Sequence, residues 1–443
     1  MSRLDDHPTV RAVRGRGAGT AAVPRLAAAE VLALCLDAGA ADAGFVSIDR
    51  PEIADQRASI LSLYPRTRTL VSLVGRMNPE PIRSTGRSVS NLEFHGASDH
   101  LNAAARLIVA NLALRGVNAL NPPVGFPMEM ASFPGKVWAV SHKPVAVAAG
   151  LGRMGVHRNV IHPKFGSFIL LATVLIDAEV DKESIQIDYN PCLDCRLCIA
   201  ACPVGAISED GFNFSSCYTH NYREFMGGFT DWVETVAASG SAEAYRSRVG
   251  DGESASMWQS LAFGPNYKAA YCLSVCPAGE EVIAPFLADR PGFVRDVVRP
   301  LQDKTETLYV QPHSDAADHA AKRFPHKRLR EVGAVLRPAT IAGFIAGMQH
   351  VFQPGRAKGV DAEISFRFTG SESAACTVVI RNQKIEIRDG VTGSARLRVS
   401  ADSRSWLRFL RKEVGILRLL LTGRVRVKGD PRLLAAFGRC FPG

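Results

Sequence analysis

Seven cysteines between positions 192 and 276 constrain this chain more than any other feature. Four of them read Cys192-x-x-Cys195-x-x-Cys198-x-x-x-Cys202, followed by Pro203. Thiolates two residues apart can wrap one face of an iron–sulfur cube on a tight loop. The fourth, beyond the turn marked by proline, points toward a second cluster. Zinc sites use paired Cys-x-x-Cys knuckles, not three equal steps closed by Cys-Pro. A shorter run, Cys272-x-x-x-Cys276-Pro277, lies downstream, and Cys217 stands alone between the two. By the crossover rule of two-cluster domains, Cys276 completes a [4Fe–4S] cluster with Cys192, Cys195 and Cys198, leaving Cys202, Cys217 and Cys272 for the second. A fourth cysteine is missing there, because Ala269 stands three before Cys272. The second cluster is expected to be [3Fe–4S], or [4Fe–4S] with a non-cysteine ligand such as His220 or water. The remaining cysteines, Cys35, Cys376 and Cys440, sit in apolar surroundings and read as inert core thiols.

At 443 residues the chain has room for two or three domains around this centre. A hydrophobic content of 47% and a charged content of 22% exclude a disordered or fibrous protein. No apolar run is long enough for a membrane span. The start, Met-Ser-Arg-Leu-Asp-Asp, has no apolar export signal, so a cytoplasmic location is expected. The net charge of +10 is uneven: from Glu331 onward there are 15 Arg and 4 Lys against 9 acids, while the rest balances. Alternation such as Arg424-Val425-Arg426-Val427-Lys428 reads first as a solvated sheet face. No nucleic-acid partner is expected, because aromatic residues that could stack on bases are sparse there.

The organisation expected is a disordered tail (1–22), an α+β domain (23–185), a small metal-dependent domain (186–290), a charged, partly helical connector (291–334) and a fresh unit (335–443). In the first domain the pattern predicts a helix over Pro24–Ala38 and strands over Gly44–Ile48, Leu70–Val74, Lys136–Val140 and Ser167–Ile176. A long helix capped by Ser98 or Asp99 is expected to end at Gly116. Alternating apolar positions in the last unit (Ile364, Phe366, Phe368; Val378, Ile380; Ile385, Ile387; Leu397, Val399) predict strands. Helices are expected after Asp402, over Val414–Leu421 and after Asp430.

Upstream of the cysteines is Ala149-Gly150-Leu151-Gly152-Arg153-Met154-Gly155. Gly150, Gly152 and Gly155 spell a dinucleotide-type spacing, but no βαβ unit surrounds them, and a structural turn explains them equally. Together with the cysteine pattern, this segment resembles the epoxyqueuosine reductase and reductive dehalogenase superfamily over about residues 25–290. That resemblance implies a nitroreductase-like domain that holds a corrinoid such as cobalamin near Gly150–Gly166 and the Cys217–Tyr222 loop. A bacterial-ferredoxin-like domain would then pass electrons to it. Epoxyqueuosine reductases carry an acidic proton donor about a dozen residues before the glycines. Here no Asp or Glu occurs from Met130 to Ile176, which sets the chain apart from tRNA-epoxide reduction. His142, Lys143 and Tyr218 are the candidate proton donors instead, with His220 and Tyr222 as alternatives. The acid-free stretch also favours an anionic cofactor or substrate.

Residues from about 335 resemble the sterol carrier protein 2 family. The carrying features are the strands around Thr377–Ile387, the helix at Trp406–Lys412, and Val425-Arg426-Val427-Lys428-Gly429-Asp430 before the last helix. The family's fold implies a twisted sheet with helices around an apolar tunnel; Trp406, Phe409, Leu417, Leu420 and Phe437 would line it, or fill it as a core. His313, His319 and His326 read as surface residues. The function expected is an iron–sulfur reductase, passing electrons from a donor protein (ferredoxin, flavodoxin or reductase) through two clusters to a corrinoid, acting on a hydrophobic small molecule or lipid. The alternatives are a ferredoxin-like electron carrier without corrinoid, and a lipid-binding or redox-sensing protein.

Overall fold

A computed structural model describes residues 4–14, 24–333, 336–393 and 395–442. Its first layered unit is a four-stranded sheet ordered Asp42–Ser47, Thr69–Arg76, Ile169–Ile176, Ala119–Leu120, with every pair antiparallel. Strand Thr69–Arg76 is buried at all but its last position, because helices cover both of its faces. Val71 and Leu73 meet helices Ala28–Asp37 and Arg87–Leu114, through Leu34, Leu101 and Ile108. Leu70 and Val74 meet helix His142–Ala148 through Val145 and Ala148 on the other side. A strand buried on both faces carries a continuous apolar run instead of alternating.

Several boundaries differ from the sequence expectation, each for a local reason. Pro8–Arg14, within the expected disordered tail, is a short helix that buries nothing and is tied by the pairs Arg11–Asp6 at 2.8 Å and Arg14–Asp5 at 2.6 Å. Residues 1–3 and 15–22 of that tail lie outside the described residues. The helix expected from Pro24 starts at Ala28, because Arg25–Leu26 pair in parallel with Glu179–Val180. The long helix begins at Arg87, well before Ser98, and Arg115 with the left-handed Gly116 ends it. Lys136–Val140 is not a strand, being squeezed between the turn at Pro134-Gly135 and the helix that starts at His142.

The cysteine-bearing segments are fastened to this first unit by backbone. Glu280 and Glu281 N–H groups donate to the Pro163 and Lys164 carbonyls at 2.9 and 3.0 Å, and Ser274 Oγ donates to the Ile82 carbonyl at 2.7 Å. Gly166 adopts φ +64°, and the Ala278 carbonyl occupies the place a Cβ would need, so only glycine allows this close approach. The connector is more ordered than expected. Thr307–Val310 and Arg328–Glu331 pair in parallel, with helix Asp315–Arg323 between them.

A buried ionic network braces the cysteine region against this parallel pair. Arg223 has no exposed side chain; it pairs with Asp231 at 2.6 Å and Glu253 at 3.0 Å, and lies over the Tyr309 ring. Glu224 pairs with Lys268, and Glu306 with Lys327 at 2.6 Å. Removing one member strands an unpaired buried charge. Arg223→Met is therefore expected to cost about 3–5 kcal/mol, read as a shift in the denaturation midpoint; a change within error would remove the network from the stability account.

The last unit is a five-stranded sheet ordered Lys384–Asp389, Ala374–Arg381, Ala362–Thr369, Leu397–Asp402, Val425–Gly429. Ala362–Thr369 runs parallel to Leu397–Asp402, and the other pairs are antiparallel. Ile364, Phe366 and Phe368 point into a core closed by helices Ile341–Val351, Ser403–Leu410, Ile416–Leu421 and Pro431–Arg439. The alternating strands and the three C-terminal helices lie where their periodicity places them. Among the described residues no helix is long and apolar enough to cross a membrane.

Candidate iron–sulfur centre and adjoining recess

The two cysteine runs are built alike. In the first, Asp194 and Arg196 take left-handed conformations (φ +49° and +60°), tightening the loop, and helix Leu197–Ala201 follows. In the second, Ala270 is left-handed (φ +60°) and helix Tyr271–Ser274 follows. Aligned on these residues, Cys198 corresponds to Cys272, Cys202-Pro203 to Cys276-Pro277, and Cys195 to Ala269. Sequence spacing marked Ala269 as the vacant ligand position, and the backbone there has the conformation of a ligand loop.

None of the ten cysteines is joined in a disulfide. Burial raises the Cys198 thiol to about 12, with further increments from Cys272, Cys276, Cys195 and Cys192. Cys276 is raised to about 11 by burial and then by Cys195 and Cys192. Cys217 is raised to about 12 by burial and then by Cys202, and Cys272 is raised by burial, Cys217 and Cys202. Cys195 and Cys192 thus act on Cys276, Cys202 acts on Cys217 and Cys272, and Cys198 feels Cys272 ahead of Cys276, Cys195 and Cys192. The Ala206 N–H points at Cys202 Sγ at 3.3 Å. Ala269 packs in one apolar cluster with Cys195, Cys198, Cys202, Cys217 and Cys272. Among the described residues no three His, Cys, Asp or Glu side chains are close enough to share a single metal ion.

His220 is corrected as a ligand candidate. Its Nδ1 accepts the Tyr309 N–H at 3.3 Å, and its charge environment is Glu306, Lys268, Lys327 and Lys304, with no cysteine among them. The neutral ring carries its proton on Nε2 and offers no lone pair there. His142 is corrected as a proton donor. Its Nε2–H donates to the Pro123 carbonyl at 3.1 Å and its Nδ1 accepts from Thr173 Oγ1 at 2.9 Å, so both ring atoms are committed. Tyr218 is buried, and its hydroxyl accepts the Gly227 N–H at 3.1 Å. His319 is not a surface residue in full. It packs against Gly205, bonds the Cys202 backbone and buries its Nε2.

Lys143 keeps accessible surface, yet protein surrounds its ammonium closely enough for desolvation to lower its pKa. Cys217, Tyr222, Tyr267 and Cys272 combine partial accessibility with strong desolvation in the same way. Lys143 acts on Cys217 and Cys272, and Tyr222 on Tyr267 and both cysteines, so these partly accessible groups gather at one place, the candidate wall of a recess. Lys143 Nζ donates to the Arg158 carbonyl at 2.9 Å and to Asn159 Oδ1 at 2.8 Å, while Asn159 Nδ2 points at Cys272 Sγ at 3.9 Å. The Tyr222 hydroxyl is held well above its ordinary pKa by burial, then by Tyr267, Cys217, Tyr218 and Cys272. His157 is held neutral, down to about 4, by burial and Lys143, and its buried Nε2 has no partner. Tyr267 escaped sequence reasoning because nothing local marks it; it arrives through packing on Tyr222 and Phe225. Gly150, Gly152 and Gly155 are crowded by this chain's own atoms, from Ile185, Ile161 and His157. Close internal packing accounts for all three.

The C-terminal unit is fastened to the helix that carries Cys217, Phe214–Asn221. Buried Gln353 donates to Ser215 Oγ at 3.0 Å, and His350 packs on Phe214. Inside the unit Trp406 contacts Phe344, Phe366, Phe368 and Phe409, and its buried Nε1–H has no partner. Leu417, expected to line the interior, is instead 73% exposed.

The chain has a mixed α/β architecture, with a ferredoxin-type cysteine region followed by a separate sheet-and-helix unit. Residues 184–207 match the 4Fe-4S binding domain family and residues 352–442 the SCP-2 sterol transfer family. Among curated proteins, epoxyqueuosine reductase of Cellulophaga algicola is 34% identical over 103 residues, covering 21% of this chain and 33% of that protein. Epoxyqueuosine reductase of Leadbetterella byssophila is 27% identical over 190 residues, covering 40% of this chain and 59% of that protein. The chain thus matches between a third and three-fifths of the length of these relatives. Among solved structures, epoxyqueuosine reductase from Streptococcus thermophilus is 15% identical with a TM-score of 0.32, covering 67% of this chain and 80% of that one.

Proposed function

We propose that this protein is an iron–sulfur reductase whose recess holds a corrinoid and whose C-terminal unit supplies a hydrophobic small molecule or lipid. Working units of 23–185, 186–290 and 335–443 accompany that reading. Cys192, Cys195, Cys198 and Cys276 hold the first cluster, a [4Fe–4S] centre. Cys202, Cys217 and Cys272 hold the second, at the floor of the recess. Partly exposed Cys192 and Cys195 would bring the first cluster near the surface, where an electron-donor protein can reach it. The observation that carries the reading is the gathering of Lys143, Tyr222 and Tyr267 with Cys217 and Cys272. The two aromatic side chains and the acid-free stretch 130–176 suit an anionic-edged macrocycle. A corrinoid bound there would supply a metal centre able to take single electrons and reduce a substrate. Lys143 and Asn159 steady the side of the recess against Cys272. Lys143 Nζ and the protonated Tyr222 hydroxyl are the groups able to deliver a proton into it.

Two measurements test this. Anaerobic reconstitution with cobalamin, followed by desalting and an absorption spectrum, is expected to leave about one corrinoid per chain. Clusters that reduce reversibly with no corrinoid retained would assign the chain to electron carriage instead. Lys143→Met removes a cation near Cys217 and Cys272, so it is expected to lower the second cluster's potential by on the order of 50 mV, about one tenfold step for a one-electron couple. An unchanged potential would take Lys143 out of the site.

A further inference from the structure

The C-terminal unit carries a second feature, unconnected with the cysteines. A pocket of about 510 Å³ opens between helices Ser403–Leu410 and Ile416–Leu421, and Arg404, Arg408, Arg418 and Arg424 are among its walls. Its one carboxylate, Asp402, is already engaged as a helix cap, accepting from Ser405 N at 2.9 Å and Ser405 Oγ at 2.6 Å. Arg408 is matched by Glu413 at 3.1 Å; the Asp402 carboxyl, held below its usual range by Ser405, also feels Arg424 and Arg404, but among the described residues no carboxylate comes within ion-pair distance of Arg404, Arg418 or Arg424. From Arg404 to Lys428 the chain has eight basic side chains and one acidic. Beside the pocket, helix Ile416–Leu421 turns Leu417 and Leu421 outward, 73% and 89% exposed. They are four residues apart, so they share one ridge, and Arg418 and Thr422 form the next ridge, on the pocket side.

We propose that this face docks on an anionic phospholipid bilayer, with lipid phosphates in the arginine pocket and Leu417 and Leu421 entering the acyl boundary. Arginines beside outward leucines on a short helix are the chemistry of an interfacial contact. Nucleic acid would use the arginines but leave the paired leucines without a role, and no aromatic ring lines the pocket for stacking. The contact is peripheral and rests on neither the clusters nor the recess.

The test is co-sedimentation of the full chain, purified with its clusters, on vesicles of phosphatidylcholine alone and of phosphatidylcholine mixed with phosphatidylglycerol. Binding is expected only to the mixed vesicles and is expected to fall with added salt. Each of R404S, R418S and R424S is expected to weaken it about fivefold, and the triple variant about a hundredfold. L417S/L421S is expected to weaken it about tenfold or more. All five side chains are outside the core, so melting temperatures should match the parent. Since lipid and salt dependence are read on the parent chain, the test survives a variant that folds poorly. Equal binding to neutral vesicles would overturn the proposal, as would triple-variant binding unchanged from the parent. So would an RNA hairpin captured through the arginines with no vesicle binding.

Discussion

Cys276→Ser is expected to abolish the [4Fe–4S] signal of the first cluster while leaving the signal of the second. Iron should fall from about seven to about three atoms per chain. The expectation follows from crossover. Cys276 lies in the second run, next to Cys272 in sequence, yet its thiol is raised by Cys195 and Cys192 of the first. A serine hydroxyl is a hard, poorly ionised donor and a weak substitute for thiolate on iron. The position also lies where Ala278 meets Gly166, so an empty first cluster should loosen the contact between the two units. Cys272→Ser is the matched control, expected to remove the second signal and spare the first. If Cys276→Ser spared the first signal and altered the second, each run would serve its own cluster.

Ala269→Cys is expected to convert the second cluster from a three-iron to a four-iron centre. Ala269 sits where Cys195 sits in the first run, one residue before a left-handed residue and a short helix. It already shares an apolar cluster with Cys202, Cys217 and Cys272, and with Cys195 and Cys198 of the first run, so the added sulfur lands within the cysteine region. Iron should rise by about one atom per chain, and the signal of an oxidised three-iron cluster should disappear. An unchanged iron count and spectrum would mean that a non-cysteine group already completes the second cluster.

What could be read ahead of the structure was what is local in the chain. The cysteine spacing, the alternation of Ile364, Phe366 and Phe368, and the helix stop at Gly116 depend on neighbours a few positions away. The recess depends on contacts between segments far apart. Lys143 is brought to Cys272 through Asn159, and Tyr267 reaches Tyr222 through packing, with no spacing rule to announce either. His142 and His220 misled for the same reason. Each has the right residue type near the right motif, but a distant partner, the Pro123 carbonyl or the Tyr309 N–H, takes the ring atom that chemistry would need. Leu417 misled because a helical apolar run does not say which of its sides faces inward.

The central claim is that seven thiols hold two inorganic clusters of unequal size. Iron and acid-labile sulfide counting, with electron paramagnetic resonance on the same anaerobically purified sample, tests it most directly. About seven irons per chain are expected, with a three-iron signal in the oxidised protein and a [4Fe–4S] signal after reduction. About four irons with a single signal, or zinc in place of iron, would contradict it.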